Sequence, residues 1–178
     1  MSGHNKFSKI KHKKGAEDAK KSKTFSVLVK QIILESKRAA GDKNSSGLRL
    51  AIERARAENM PKENIERAIA KGVGALSAGI EEILCEAYGP GGVAIIIKGT
   101  TDSKNRTINE IKFLLSEGGA SLGAQGSVVW AFKKVNEGFE PTTKIALSEE
   151  DQKKLMAILD VLEDNPDVEN IYTNLLKE

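Results

Sequence analysis

Residues 83–98 read Ile83-Leu84-Cys85-Glu86-Ala87-Tyr88-Gly89-Pro90-Gly91-Gly92-Val93-Ala94-Ile95-Ile96-Ile97-Lys98, and the fold turns on how this run is understood. Ile83–Tyr88 reads as a strand, and Val93–Lys98 as a second strand, apolar and β-branched. Gly89-Pro90-Gly91-Gly92 sits between them. A glycine cluster after a strand also raises a phosphate-cradling loop. No helix follows Gly92 and no Gly-Lys-Ser/Thr ending is present, so a turn joining two strands is the better reading.

Working forward, Asp102 or Ser103 can cap a helix that buries Ile108, Ile111, Leu114 and Leu115 and ends at Gly118-Gly119. Val128, Trp130 and Phe132 alternate with Ser127, Val129 and Ala131, which predicts a strand whose aromatics belong to the core. Asn136-Glu137-Gly138 is a hairpin-type turn. Thr143, Ile145 and Leu147 alternate on the next strand. Ser148 with Asp151 forms a capping-box pattern before a helix that buries Leu155, Ile158, Leu159 and Leu162. Asn165-Pro166-Asp167 then turns the chain into a last strand, Val168–Thr173. From Val93 the order is β-α-β-β-α-β. That predicts a ferredoxin-like α/β sandwich, with an antiparallel sheet, two helices on one face and Ile83–Tyr88 as an extra strand.

Working backward, the period changes. A first helix is predicted over Lys14–Ala40, with Phe25, Leu28, Val29, Ile32 and Ile33 as its buried stripe. Lys23, Lys30 and Lys37 recur every seven residues on roughly the opposite side. Val27 and Leu34 fall near that cationic side, which a simple amphipathic helix does not explain. Gly41 ends the helix. A second helix over Leu48–Asn59 has Leu48, Ala51, Ile52 and Ala55 as its stripe. Pro61 suits the first turn of a third, with Ile65, Ala68 and Ile69 inward and Gly72 and Gly74 as its stop. Short loops and three amphipathic helices predict a small bundle. The fold class is therefore α+β, with a basic arm and three-helix bundle over 1–78, a flexible link at Ala75–Gly79, and the sheet domain over 79–178.

Charge divides the same way. Residues 1–80 hold 18 Lys/Arg against 8 Asp/Glu, net +10, and residues 81–178 hold 10 against 17, net −7. The first thirty residues carry Lys6, Lys9, Lys11, Lys13, Lys14, Lys20, Lys21, Lys23 and Lys30 against Glu17 and Asp18. Ammonium groups at this density cannot be desolvated in a core. They face water, as a solvated tail would, or a polyanion. Phe7 and Ile10, placed at helical spacing within the run, favour the second reading. Lysines that neutralise phosphates release condensed counterions and bind without reading bases. Arg49, Arg56, Arg67 and Lys71 extend the basic surface over the second and third helices. With His12 they complete the candidate nucleic-acid contacts. The tight join at Asn59-Met60-Pro61 also suggests a helix-turn-helix with Lys62–Lys71 as the reading helix. Lys62 and Asn64 are thin support for base recognition, and a structural helix with a solvated basic face explains the residues better. Lys104, Asn105 and Arg106 form a second candidate site. They sit in a helix's first turn, where the dipole disfavours cations, and either grip an anion or pair with the acidic surface.

Several function classes are disfavoured. The two histidines, His4 and His12, lie in the basic arm without an orienting carboxylate other than Glu17 and Asp18. Neither a serine triad nor a metal cluster is suggested, and no cofactor. Cys85 is the single cysteine, so no intramolecular disulfide forms. It reads as a small buried residue rather than a nucleophile. The chain is not read as an enzyme. No apolar run approaches the ~18 residues of a membrane helix, so no membrane partner is expected and the simplest placement is the cytosol.

Several motifs in order resemble the YebC/PmpR family. They are Gly3-His4-Asn5-Lys6-Phe7-Ser8-Lys9-Ile10-Lys11-His12-Lys13-Lys14, Asn59-Met60-Pro61-Lys62 with Ile65-Glu66-Arg67-Ala68-Ile69, and Tyr88-Gly89-Pro90-Gly91-Gly92-Val93. Asp102-Ser103-Lys104-Asn105-Arg106-Thr107, Gly123 with Gly126-Ser127-Val128, and Val168-Glu169-Asn170-Ile171-Tyr172-Thr173-Asn174 follow. Two features depart from the pattern. Phe7 stands where tryptophan is usual, and the short turn Val135–Gly138 stands where typical members carry an inserted third domain. The resemblance implies a cytoplasmic, non-enzymatic regulator of gene expression. Family members carry the label of transcriptional regulator binding DNA, while others resemble ribosome-associated translation factors, including one that activates mitochondrial cytochrome c oxidase synthesis and others that relieve stalling at proline stretches. Lysine reads phosphate well and sequence poorly, which suits rRNA or the ribosome as well as low-specificity DNA binding. A pure protein adaptor acting through the acidic half is a third reading. The oligomeric state is left open.

Overall fold

The computed structural model describes residues 4–74, 79–136 and 138–176, and for residues 4–17 the backbone alone. Most of the expected link at Ala75–Gly79 therefore lies outside the described residues. The chain divides into two compact units, residues 1–78 and 79–178. Among the described residues no helix is long and apolar enough to cross a membrane.

The first unit holds α1 (His4–Arg38), α2 (Ser46–Ala57) and α3 (Lys62–Val73). Helix α1 starts ten residues before the predicted Lys14, because no proline precedes Pro61 and the lysine run is itself helix-compatible. It packs on both α2 and α3. Leu28, Ile32 and Ile33 of α1, Leu48, Ala51, Ile52 and Ala55 of α2, and Ile65, Ala68 and Ile69 of α3 are buried. Leu34, which a single stripe leaves among the cations, is buried too. A helix with two partners buries a wider arc than a helix with one.

Gly72 is not the helix stop its position suggested, for α3 runs on to Val73. A Cβ at position 72 would lie 2.5 Å from the Ser36 Cβ and 2.6 Å from the Ile33 carbonyl oxygen. Glycine is there so that α3 can approach the α1 backbone. The Ser36 hydroxyl, fully buried, donates to the Ile69 carbonyl at 2.8 Å and fixes the same crossing. Between α2 and α3, Asn59 takes a left-handed φ of 58° and the amide of buried Met60 donates back to the Ala55 carbonyl at 2.9 Å. That αL ending makes the join short.

The second unit holds β1 (Glu81–Tyr88), β2 (Ala94–Thr101), α4 (Lys104–Glu117), β3 (Ser121–Leu122), β4 (Phe132–Val135), β5 (Gly138–Pro141), α5 (Glu149–Glu163) and β6 (Val168–Thr173). The β1–β2 hairpin is in register from Glu81↔Thr101 to Tyr88↔Ala94. Its turn uses positive φ at Gly91 (65°) and Gly92 (80°). The sheet order is β3-β1-β2-β6, and every pairing in it is antiparallel. Ile83, Cys85 and Ala87 of β1 and Ile95 and Ile97 of β2 face Ile111 and Leu115 of α4 and Leu155, Ile158 and Leu162 of α5. Both helices thus lie on one face of an antiparallel sheet.

Three elements differ in detail from the sequence reading. Strand β1, expected as an extra strand completing a hairpin, is an interior strand between β3 and β2. Val129–Ala131 forms a 3-10 turn instead of a strand, and β4 and β5 make a separate two-stranded ribbon. Phe132 and Phe139 of this ribbon pack with Ala94, Ile96, Tyr88 and Tyr172 on the sheet's second face. The expected strand Thr143–Leu147 is reduced to one parallel bridge, Ile145 to Leu175.

The buried carboxylate of Glu86 accounts for the 3-10 turn. It accepts from the amides of Gly126 (2.6 Å), Val128 (2.7 Å) and Val129 (3.0 Å). Burial pushes its pKa up, but the three amide bonds outweigh that and hold it below the usual glutamate range. With the chain bent there, Trp130 is 62% exposed, and its indole N–H donates to the Ser127 carbonyl at 2.8 Å. The alternation that placed Trp130 in the core assumed a strand; the turn rotates it out, while Phe132 stays in.

Candidate nucleic-acid interface

Helix α1 has 35 residues, about 52 Å at 1.5 Å per residue. Helices α2 and α3 have 12 each, about 18 Å. The short pair can cover only part of α1. Among described side chains of α1, burial begins at Leu28 and ends at Ser36. The N-terminal half therefore outreaches its bundle partners, and that half carries most of the lysines.

Lys6, Lys9, Lys11, His12, Lys13 and Lys14 lie on the α1 backbone, and their side chains fall outside the described residues. Lys20 and Lys21 are exposed. The Lys21 ammonium sits 5.6 Å from the centre of the Phe25 ring, a cation–π contact that steadies it. Lys23 and Lys30 are half-buried along the stem of the same helix. On α2, Arg49 and Arg56 are two turns apart and exposed, with Glu53 3.9 Å from Arg49. On α3, Arg67 turns back to the Asn64 side-chain oxygen at 2.5 Å, and Lys71 is exposed one turn on. Glu66 is occupied by Lys43 at 2.7 Å. That hydrogen bond, above all, lowers its pKa, with Lys62 and Arg56 adding to it. The bundle thus presents cations from all three helices, and its acids are partly neutralised from within.

The second candidate site has a different character. Lys104 and Asn105 are exposed in the first turn of α4. Arg106 is committed internally, 2.7 Å from Asp167, 2.9 Å from Asp102 and 3.6 Å from Glu110. The hydrogen bonds it donates to Asp167 first and Asp102 second push its pKa up. Asp167 is 2% exposed and also accepts from the hydroxyls of Thr107 (2.6 Å) and Thr101 (3.1 Å). Its amide donates to Asn165 at 2.9 Å. Neither expected cap operates as one: Ser103 makes no side-chain cap bond, and Asp102 serves Arg106 instead. The run Asp102–Thr107 and the turn Asn165–Asp167 are therefore two halves of one latch. Cations in this first turn are tolerated because carboxylates lie beside them. Among the described residues no three His, Cys, Asp or Glu side chains gather to hold a metal.

Two family models cover the chain. That of the TACO1/YebC protein N-terminal domain matches residues 5–75, and that of the TACO1/YebC second and third domain matches 80–138 and 133–175. The chain belongs to the TACO1/YebC family. The second model is met in two pieces that join at 133–138, the tip of the β4–β5 ribbon. The chain is 39% identical over 238 residues to a protein of Thermoanaerobacter pseudethanolicus named "Probable transcriptional regulatory protein", covering 98% of this chain and 97% of that one. An alignment of 238 residues against a chain of 178 leaves a long stretch of that relative without a counterpart here. This TACO1/YebC member is thus shorter than that relative, and the break in its match to the second model falls at the β4–β5 ribbon. A protein of the same name from Chlorobaculum parvum is 47% identical over 177 residues, covering 98% of this chain and 70% of its own. The crystal structure of a conserved hypothetical protein from Aquifex aeolicus matches with a TM-score of 0.83 at 28% identity, over 89% of this chain and 91% of that one.

Sequence reasoning passed over Glu86 and Asp167, the two buried carboxylates on which the loops depend. Each stands amid ordinary strand or turn residues, and no local pattern marks a carboxylate whose partners lie 40 or 60 positions away.

Proposed function

We propose that this chain is a non-enzymatic regulator of gene expression that binds nucleic acid through α1 and the basic face of its helical unit. The observation that carries the reading is the length of α1, a 35-residue helix carrying Lys6 to Lys23 ahead of the stretch, Leu28 to Ser36, that packs on its 12-residue partners. A long cationic rod can follow a phosphate backbone over several nucleotides while the short bundle anchors it. The names of the relatives, transcriptional regulatory proteins, support duplex DNA as the polyanion. Lys6, Lys9, Lys11, His12, Lys13, Lys14, Lys20, Lys21 and Lys23 are the primary phosphate contacts. Lys30, Arg49, Arg56, Arg67 and Lys71 extend them, and Lys104 with Asn105 is a lesser site.

The test is a salt titration of affinity for duplex DNA, structured RNA and intact ribosomes, run side by side. Each phosphate contact contributes about −0.9 to the slope of log K against log salt on duplex DNA. Reversing Lys9, Lys13, Lys20 and Lys23 together to glutamate should reduce DNA affinity by about a thousandfold and flatten that slope, with an unchanged helical circular-dichroism spectrum. Retained binding would refute the arm. Binding to ribosomes at salt that strips both free nucleic acids would instead place the chain in translation.

A further inference from the structure

The outer edge of β1 is open along part of its length. Strand β3 has two residues and pairs only with Tyr88 and Ala87. The Gly123 amide adds one bond to the Glu86 carbonyl at 2.8 Å, and the chain then turns away. That bond shows which backbone groups point outward. Antiparallel strands send alternate residues to alternate neighbours. Glu86 faces β3, so Leu84 faces the same way, off the sheet, with no strand beside it among the described residues.

Natural sheets blunt such edges with lysine, proline or a bulge. Here the open stretch is Ile83-Leu84-Cys85 in unbroken register with β2, and it contains none of these. Leu84 is 48% exposed. Beside it runs a cleft of about 340 Å³, lined by Ile83, Cys85, Ile108 and Leu122, with Lys104 and Gln125 at its rim. Its lining joins residues of β1 and β3 to Lys104 and Ile108 of α4. Lys104 is exposed there, while its neighbour Arg106 is taken by carboxylates.

We propose that this edge is a strand-addition site. It takes an extended segment of a partner protein, which pairs with Leu84, sets an apolar side chain in the cleft and brings a carboxylate to Lys104. The main chain would supply affinity and the cleft selectivity, as in other edge-strand recognition. A second copy of this chain fits less well. Two-fold pairing about Leu84 would set Glu82 of each copy against Glu86 of the other, and like charges directly opposed are destabilising.

The experiment uses the full chain and short acetylated peptides that alternate valine and threonine and end in glutamate. Bound peptide should shift the amide resonances of Ile83–Glu86 and Lys104 and slow hydrogen exchange at Leu84 by about tenfold or more. Leu84→Pro removes the outward donor without touching the β1–β2 bonds, and should abolish the effect. Should that variant unfold, Lys104→Glu serves. It should weaken the glutamate-ended peptide and leave a glutamine-ended one unchanged. Unaltered exchange at Leu84 with every peptide, or equal binding by the variants, overturns the proposal. So does a concentration-dependent dimer that Leu84→Lys abolishes, since the edge would then belong to a second copy.

Discussion

The two units treat charge in opposite ways. Among the described side chains of the helical unit, cations stand on the outer faces of α1, α2 and α3, while packing rests on apolar residues and one buried hydroxyl, that of Ser36. In the sheet unit, the buried charges hold the loops. Asp167 gathers Arg106, Thr101 and Thr107, and Glu86 gathers three backbone amides. An arginine in a helix's first turn and an arginine on a helix's flank look alike in sequence. What separates Arg106 from Arg56 is whether a buried carboxylate stands beside it. Cations answered from within shape the fold, and those left on the surface are available to a partner.

The strongest way to break this contrast is at Asp167. Asp167→Ala removes the buried acceptor shared by two hydroxyls and a guanidinium, and should lower the stability of the sheet unit by about 2–4 kcal/mol in urea unfolding. A loss below about half a kcal/mol would mean that the latch is ornamental. Gly72→Ala tests the other unit. Helix propensity alone favours alanine by about 1 kcal/mol. Overpacking against Ser36 and Ile33 should reverse the sign, giving a net loss of about 1–3 kcal/mol. A stabilised variant would show that α1 and α3 can part without penalty.

A matched pair sharpens the comparison. Arg106→Gln should cost about 1 kcal/mol of stability and leave DNA affinity within twofold, whereas Arg56→Gln should leave stability unchanged and weaken DNA binding about threefold. The same response from both would erase the distinction between the units. The smallest effect concerns pH. The folded pKa of Glu86 lies below its unfolded value, so its contribution to stability is complete above the unfolded value, near 4.3, and is lost as pH falls through the folded one. Glu86→Gln should therefore show a shallower acid limb in a stability–pH profile. An identical limb would remove Glu86 from the account.

Much of the fold was legible in local pattern. The three amphipathic helices, the β1–β2 hairpin with its glycine turn, and the Ser148 cap of α5 follow from residues close in sequence. Ser148 does accept from the Asp151 amide at 3.1 Å. The 128–147 region was misread because its conformation is set by Glu86, some forty positions earlier, and by the apolar patch on the second sheet face that the ribbon covers. Arg106 could be read in two ways because the residue that decides between them, Asp167, is 61 positions away.

By itself, then, the sequence determined helix and strand periods, the division of charge between the two halves and the family, because each is written in neighbouring residues or in net composition. Tertiary structure alone decided the placement of β1 within the sheet, the turning-out of Trp130, the engagement of Arg106 and the open edge at Leu84. These depend on which distant groups meet in a low-dielectric interior. There a carboxylate must find donors wherever the chain brings them, and a strand is either paired or left open by what lies beside it.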